Sequence, residues 1–233
     1  MIQTRRERLH EATCQEIKAI AWEQIAAQGA ASLSLRSIAS QMGMTSPALY
    51  RYFASRDDLV TALIVDAFTS LGEALAAARD ALPHEDHAGR YAATGFAYRE
   101  WALAYPQRYA LIFGTPISGY EAPLWVTQPV AAQSLGVLIG VLEAAWNAGA
   151  LHLPGEYIEL TPAIQGQLRA WREQMGISAS EPVLCLALIS WSRVHGLVSL
   201  ELYRQFPPAI TDFGALFNLE IQALERQAGF IQE

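Results

Sequence analysis

Apolar residues recur every three to four positions along most of the chain, which is the spacing of helices with one buried face. Ile17, Ala21 and Ile25 follow this spacing before Gly29, and a shorter helix begins after Ser34 and runs to about Gly43. No stretch alternates apolar and polar residues for long, so strands are not expected. The pattern predicts an all-α protein of about nine helices.

The stretch "TSPALYRYFASRDDL" contains the start of two of these helices. Thr45 or Ser46 can cap a third helix whose first turn holds Pro47, where a missing N–H removes no intrahelical hydrogen bond. Ser55 begins a fourth helix, as a capping box with acidic residues in the first turn, and that helix continues to about Arg79. Later helices are predicted near residues 91–105, 107–113, 129–150, 164–175, 183–206 and 212–230.

The second and third helices are joined by only a few residues around Gly43, which is the arrangement of a helix-turn-helix. In that motif the second helix enters the major groove of double-stranded DNA. Ile38, Met42, Leu49 and Phe53 are predicted to form its small core, and Ala39 is small enough for a close helix crossing. The residues expected around the DNA are Arg36, Ser37, Thr45, Ser46, Pro47, Ala48, Tyr50, Arg51, Tyr52 and Arg56.

Charge is divided unevenly along the 233 residues. The chain has a net charge of −7, but residues 1–60 hold seven basic against six acidic side chains, or +1, which leaves −8 for the remainder. A near-neutral segment can still bind DNA if its arginines share one face, because local charge governs contact with phosphates. The asymmetry predicts two parts with different partners, residues 1–56 and residues 57–233.

The stretch "LRSIASQMGMTSPALYRYFASRDDL" resembles the DNA-binding domain of the tetracycline-repressor-like (TetR) family of bacterial regulators. The matching positions are Ile38-Ala39, Gly43, Leu49-Tyr50, Phe53 and Leu59. Arg56 departs from the pattern, since the family usually has lysine there. The resemblance implies a homodimeric regulator, more often a repressor, with a DNA-binding domain of residues 1–56 and a larger ligand-binding and dimerisation domain of residues 57–233. In such a regulator a ligand in the C-terminal domain changes the spacing of the two DNA-binding heads on a palindromic operator.

Carried over by position, the resemblance implies a role for individual side chains. Arg36, Ser46, Ala48 and Arg51 are expected to contact bases. The backbone of Leu35 and the side chains of Tyr50, Tyr52 and Arg56 are expected to contact phosphates. For Tyr50 and Tyr52, simple packing against the protein remains an alternative.

The C-terminal half is similar to a subclass of the same family with a Trp…His-Gly signature, here Trp191, His195 and Gly196. Gly196 in mid-helix is expected to permit a close helix crossing. His195 either lies at a ligand or subunit interface or is a hydrogen-bonded core histidine. The expected dimer surface consists of Leu184, Leu188, Leu197, Leu200, Leu216, Phe217, Ile221 and Leu224.

A small-molecule effector of unknown identity is expected in this half of the chain. The candidate pocket residues are Phe68, Tyr98, Trp101, Tyr105, Phe113, Trp146, Trp191 and His195. Because most of them are aromatic, the effector should be largely apolar or aromatic. A cation is an alternative, because this half is acidic and aromatic rings attract cations through their faces. Plain core packing is an alternative for every one of these residues.

Other functions have weaker support in the sequence. The stretch "HEDH" from His84 to His87 could bind a metal but reads as a solvated loop, and Cys14 and Cys185 match no metal spacing. No phosphate-binding loop or nucleophile elbow is present, so an enzyme and a cofactor are not expected. A helical interaction module without DNA binding is the remaining alternative. No apolar run reaches the roughly 18 residues that a membrane helix needs, and the N-terminus has no apolar signal-peptide core. Both observations predict a cytoplasmic protein without a membrane partner.

Overall fold

The computed structural model describes residues 4–230, and this part of the chain forms eleven α-helices and no β-strand. An isolated antiparallel bridge joins Leu151 to Phe230. The all-α prediction is confirmed, and the helix number is close to the predicted nine. The helices are α1 Arg5–Gln28, α2 Leu35–Gln41, α3 Ser46–Leu49, α4 Arg56–Asp80, α5 His87–Ala104, α6 Pro106–Phe113, α7 Leu124–Asn147, α8 Gly155–Ile158, α9 Pro162–Met175, α10 Glu181–Leu202 and α11 Phe213–Ala228.

Side-chain caps explain where several helices begin. Thr4 and Glu7 form a reciprocal capping box at the start of α1. Ser34 accepts a hydrogen bond from the Ser37 N–H at the start of α2, as the sequence predicts. Ser55 Oγ accepts from the Asp58 N–H at 3.0 Å, which confirms it as the cap of α4. Each cap satisfies an N–H group that has no partner within its helix.

The residues group into two compact units. The first unit lies within Met1–Ala67 and Tyr105–Gln128, and the second within Phe68–Ala104 and Pro129–Glu233. The first unit therefore extends beyond residue 56, the sequence-based domain boundary, and includes α6 with the loop that follows it. The functional division at residue 56 stays a prediction.

The first unit is built on α1 and the N-terminal part of α4. Ile17 and Ala21 on α1 and Leu59 and Leu63 on α4 are fully buried. The Lys18 ammonium lies 2.8 Å from the Asp66 carboxylate and joins the same two helices. On α6, the Arg108 guanidinium lies over the ring of Trp22 in α1 at 5.3 Å. These contacts give the helix-turn-helix a rigid support.

The second unit is organised around α10, which packs against α5, α8, α9 and α11. Tyr91 on α5 donates a hydrogen bond to Ser190 Oγ on α10 at 2.7 Å within the buried core. The Arg99 guanidinium donates to both carboxylate oxygens of Glu201 and forms a bidentate ion pair between the same two helices. Such bidentate pairs fix geometry as well as adding stability.

Three helices are long and apolar enough to span a membrane by length and composition alone: Arg56–Asp80, Leu124–Asn147 and Glu181–Leu202. The sequence prediction that no run reaches this length is therefore wrong by that measure. The reason is that a helix can contain up to two charged residues, such as Asp66 in α4, and still have a high mean hydropathy over 18 residues.

Candidate nucleic-acid interface

The turn between α2 and α3 is held by backbone hydrogen bonds that depend on Gly43. Its φ of +65° lies in the left-handed region, which glycine adopts without steric cost. This conformation lets the Met44 N–H return to the Ala39 carbonyl at 2.8 Å and end α2 abruptly. Thr45 then adopts the extended conformation of an N-cap, and Pro47 lies in the first turn of α3 as predicted.

The inner face of this motif is a compact apolar cluster. Ile38 and Leu49 are fully buried, and Ala39 and Phe53 are nearly so. Met42, also predicted for the core, is only half-buried. The pattern of burial confirms that α2 and α3 pack as a helix-turn-helix, since it fixes which faces of both helices remain outside.

The outer face carries polar and aromatic side chains. Arg36, Ser37, Thr45, Pro47, Tyr50 and Arg51 are exposed, while Ser46, Ala48, Tyr52 and Arg56 are half-buried. The Leu35 side chain is buried, which leaves only its backbone to serve the predicted contact. Tyr50 is 44% exposed, an unusually open position for a packing aromatic, so the packing alternative applies poorly to it.

The third helix is shorter than its sequence predicts. It ends at Leu49, and the next residues form a tighter turn in which the Tyr52 N–H bonds to the Leu49 carbonyl at 2.8 Å. The Phe53 N–H also bonds to the Leu49 carbonyl, at 3.3 Å, before the Phe53 ring packs inward and Ser55 caps α4. The exposed Tyr50 and Arg51 consequently lie on this turn rather than within the helix.

Tyr52 stacks against a residue that the sequence does not single out. Its ring and that of His10 on α1 lie 4.8 Å apart with an angle of 20° between their planes. One face of the Tyr52 ring packs on the protein, while the ring stays partly exposed. The stack is therefore compatible with both alternatives for Tyr52, packing and contact with phosphate. No local pattern around position 10 signals the contact, since its partner is 42 residues away.

The Arg56 guanidinium is directed toward the connection between α1 and α2. Nε donates to the Leu33 carbonyl at 3.2 Å, and Nη2 donates to the Ala30 and Ala31 carbonyls at 3.0 and 3.2 Å. Nη1 lies 3.6 Å from Asp57. Its donors thus serve the protein backbone in this structure, which departs from the sequence prediction that Arg56 faces the duplex.

The eight predicted effector-binding residues are divided between the two units. Tyr105 and Phe113 belong to the first unit, where Tyr105 lies against Arg108 and Phe113 against Tyr109. The other six lie in the second unit, on α4, α5, α7 and α10: Phe68, Tyr98, Trp101, Trp146, Trp191 and His195. Within the second unit, the Trp101 indole N–H donates to Ser70 Oγ at 3.0 Å.

His195 is the polar centre of an aromatic cluster in the second unit. Its Nδ1 lies 2.8 Å from the Tyr98 hydroxyl, and its Nε2 lies 3.4 Å from Ser199 Oγ. The Trp191 ring stacks on the imidazole at 5.1 Å. Burial among these neutral groups lowers the pKa of His195 below its usual range. In this structure His195 therefore matches the interpretation as a hydrogen-bonded histidine within its own chain.

The predicted dimer surface needs correction. Leu184, Phe217, Ile221 and Leu224 are at most 2% exposed, because they already form the core of their own chain. They have no side-chain surface to offer a second copy. Leu188, Leu197 and Leu216 are half-buried and Leu200 is 37% exposed, so these four remain accessible.

Gly196 also differs from its predicted role. A Cβ added there would meet no atom within 4 Å, so this glycine does not permit a close crossing within the chain. It lies instead on an outward stripe of α10 with Ile189, Ser192, Leu200 and Tyr203. Ile189, Leu200 and Tyr203 are 37–46% exposed.

A shallow depression of about 170 Å³, measured out to open solvent, lies at the C-terminal end of α10 and the start of α11. It is lined by Leu197, Glu201, Phe206, Phe213, Leu216 and Phe217. None of the predicted effector residues lines it, and its volume is below the roughly 300 Å³ of small ligand sites. Within residues 4–230 no group of three potential metal ligands is recorded, and Asp86 of the "HEDH" stretch accepts a hydrogen bond from Gly89 N–H at the start of α5.

Comparison with known proteins agrees with this architecture. Residues 17–63 match the family described as bacterial regulatory proteins of the tetR family, and residues 91–224 match the tetracyclin repressor-like C-terminal domain. The chain belongs to the TetR family of transcriptional regulators and carries its helix-turn-helix DNA-binding domain. The Trp…His-Gly subclass stays a prediction.

Relatives and solved structures extend over most of the chain. HTH-type transcriptional regulators of Mycobacterium bovis and Mycobacterium tuberculosis are each 33% identical to it over 86% of both chains. The crystal structure of the regulatory protein SCO4313 is 41% identical, covers 95% of this chain and 98% of its own, and has a TM-score of 0.78. A tetR-family protein from Rhodococcus RHA1 shares the fold, with a TM-score of 0.63 at 17% identity over 94% and 98% of the two chains. These relatives are regulators, not enzymes.

Proposed function

We propose that this chain is a cytoplasmic, effector-responsive repressor that binds a palindromic operator as a homodimer. The observation that carries the proposal is the exposed surface around the helix-turn-helix, with two arginines and three hydroxyl groups outside an apolar core. Arginines and hydroxyls bind phosphate oxygens, and arginine also reads guanine through two hydrogen bonds. Regulators of this family bind DNA, which supports the same reading.

The side chains on this surface suit two different tasks, contact with bases and contact with phosphates. Arg51 is exposed on the turn immediately after α3 and is our candidate for a base contact, together with Arg36, Ser46 and Ala48. Ala48 allows close approach and can contact a thymine methyl group. Ser37, Thr45, Pro47, Tyr50, Tyr52 and the Leu35 backbone complete the proposed interface and fix its position on the phosphates.

Dimerisation is proposed through the outward faces of α10 and α11. The outward stripe of α10 has large side chains at Ile189, Leu200 and Tyr203 and two small residues, Ser192 and Gly196, between them. Leu219, which is 57% exposed on α11, adds further apolar surface. Two copies that pair these faces would bury apolar side chains and form a four-helix arrangement with two-fold symmetry. Two-fold symmetry in the protein in turn favours an inverted repeat in the operator.

The effector is proposed to bind the aromatic cluster of the second unit. Tyr98, Trp191 and His195 supply flat apolar surface with one hydrogen-bonding centre. A largely apolar or aromatic compound with one polar group suits such a lining. Binding would have to separate groups that contact one another at present, so it would favour a second conformation of this unit.

An electrophoretic mobility shift assay on DNA from the region upstream of the gene tests the central part of this proposal. A discrete complex that competes poorly with unrelated DNA and weakens steeply as salt rises supports a sequence-specific regulator. If the folded protein binds no upstream DNA at low salt, the alternative of a helical interaction module replaces it. Adding apolar and aromatic compounds that raise the thermal midpoint then tests effector control: an effector must also change DNA affinity.

A further inference from the structure

The stack of His10 on Tyr52 places the N-terminal part of α1 beside the DNA-facing turn. Tyr52 lies three residues beyond the end of α3, and the two rings are 4.8 Å apart and nearly parallel. Both residues belong to the first unit. A DNA backbone bound at the proposed Tyr52 contact would therefore also lie close to this part of α1.

Helical spacing brings an arginine onto the same edge. Arg6 precedes His10 by four residues, so the two side chains share a face and lie about 6 Å apart along the axis. Successive charges of one DNA strand are about 3.4 Å apart along the duplex axis, so Arg6 lies within roughly two phosphates of His10. An extended arginine side chain is long enough to reach a phosphate at this distance.

The charge of Arg6 is available for such a contact. Arg5 and Arg6 are exposed. Among residues 4–230 the ion pairs join other side chains. The neighbouring acid, Glu7, is engaged in capping α1, because its Oε2 accepts a hydrogen bond from the Thr4 N–H at 2.7 Å. That hydrogen bond lowers the pKa of Glu7 and holds its carboxylate at the helix terminus.

We infer that the N-terminal part of α1 is an additional phosphate-binding segment, in which Arg6 contacts the DNA backbone and the His10–Tyr52 stack positions it. The inference rests on the proposed DNA binding and enlarges that interface beyond the helix-turn-helix. The contact is with phosphate and carries no base information. It therefore strengthens binding to operator and to unrelated DNA alike.

The test measures DNA affinity by fluorescence anisotropy between 50 and 300 mM salt for the whole chain and its Arg6→Gln variant. The proposed homodimer carries two copies of Arg6, so the variant loses two phosphate contacts. This loss should reduce the slope of log K against log salt by about 1.8 and raise Kd about thirtyfold at 0.15 M salt. Operator and scrambled DNA should show the same fold-change. Arg169→Gln on α9 is the matched control, since it removes the same charge from a half-exposed position in the second unit and should leave both quantities unchanged.

Two further variants test the positioning role of His10. His10→Ala removes the stack and should lower the slope as Arg6→Gln does, whereas His10→Phe keeps a ring against Tyr52 and should retain the wild-type slope. A wild-type slope for Arg6→Gln, or an effect no larger than that of Arg169→Gln, overturns the inference while leaving DNA binding intact. A wild-type protein that binds no DNA overturns the proposed function itself, so the two failures are distinguishable.

Discussion

The Arg56 guanidinium donates a hydrogen bond to the Ala30 carbonyl at 3.0 Å, and so joins the first residue of α4 to the turn that precedes α2. Two more carbonyls, at Ala31 and Leu33, accept from the same side chain. A planar fork of donors can satisfy several carbonyls at once, which a single ammonium group cannot do. Arg56 therefore holds the turn before α2, the first helix of the helix-turn-helix, against the start of α4.

Replacing Arg56 by lysine separates this positioning role from the phosphate contact that the sequence predicts. Arg56→Lys should lose most of the carbonyl contacts and lower the free energy of unfolding by about 1 kcal/mol, a figure reduced for partial exposure. DNA affinity should fall with an unchanged salt slope. If lysine keeps full affinity and stability, Arg56 acts on phosphate instead. Urea unfolding and salt-dependent anisotropy make the two measurements.

Arg51 should determine sequence preference. Arg51→Ala is expected to cost about 1–3 kcal/mol of binding for each half-site and to relax the preference at one base pair in each half-site. Arg51 is exposed, so the variant should fold normally. The measurement is a set of operators with single base-pair changes. Uniform weakening on every sequence would show a phosphate contact rather than a base contact.

The stability of the second unit should depend on pH through His195. Burial lowers its folded pKa, so between that value and about 6.5 the unfolded chain binds more protons than the folded one. Its contribution is complete above about pH 6.5 and is lost as pH falls through this window. His195→Gln should therefore show a smaller loss of stability than wild type between pH 7.5 and pH 5.5. Equal losses in urea unfolding would contradict the account.

Gly196 offers a test of the dimer surface. Gly196→Leu should reduce dimerisation, because the new side chain projects outward from α10 into the proposed interface. The matched control is Gly166→Leu on α9, where an added Cβ also meets nothing within 4 Å. Sedimentation velocity should show dissociation for the first variant only. A dimer of unchanged strength in both variants would place the interface elsewhere.

Local signals explain why much of the fold can be predicted from the sequence. Gly43, Ser34, Ser55 and Pro47 each act within a few residues of their position, and all four take the predicted conformation or cap. The buried face of α2 and α3 follows equally from helical spacing. Burial on one face is enough to define the exposed surface of the motif.

Sequence pattern misses an exposed proline within a helix and contacts between distant residues. The prediction that begins α7 at Pro129 is wrong, since α7 begins at Leu124 and includes this proline. The carbonyl of Trp125 loses its partner there, but Trp125 is 82% exposed and Pro129 is also exposed, so water can reach the site. Two other features depend on partners more than 20 residues away, namely the inward turn of Arg56 and the His10–Tyr52 stack. Leucine patterns cannot distinguish the core of one chain from the surface between two.

Selection of binding sites from a pool of random duplex DNA tests the central claim most directly. The account predicts enrichment of an inverted repeat with two identical half-sites, whose affinity for the purified protein falls steeply between 50 and 200 mM salt. Arg51→Ala should enrich a less restricted half-site from the same pool. Recovery of no common sequence by the folded wild-type protein at 50 mM salt would contradict the claim that this helix-turn-helix reads DNA.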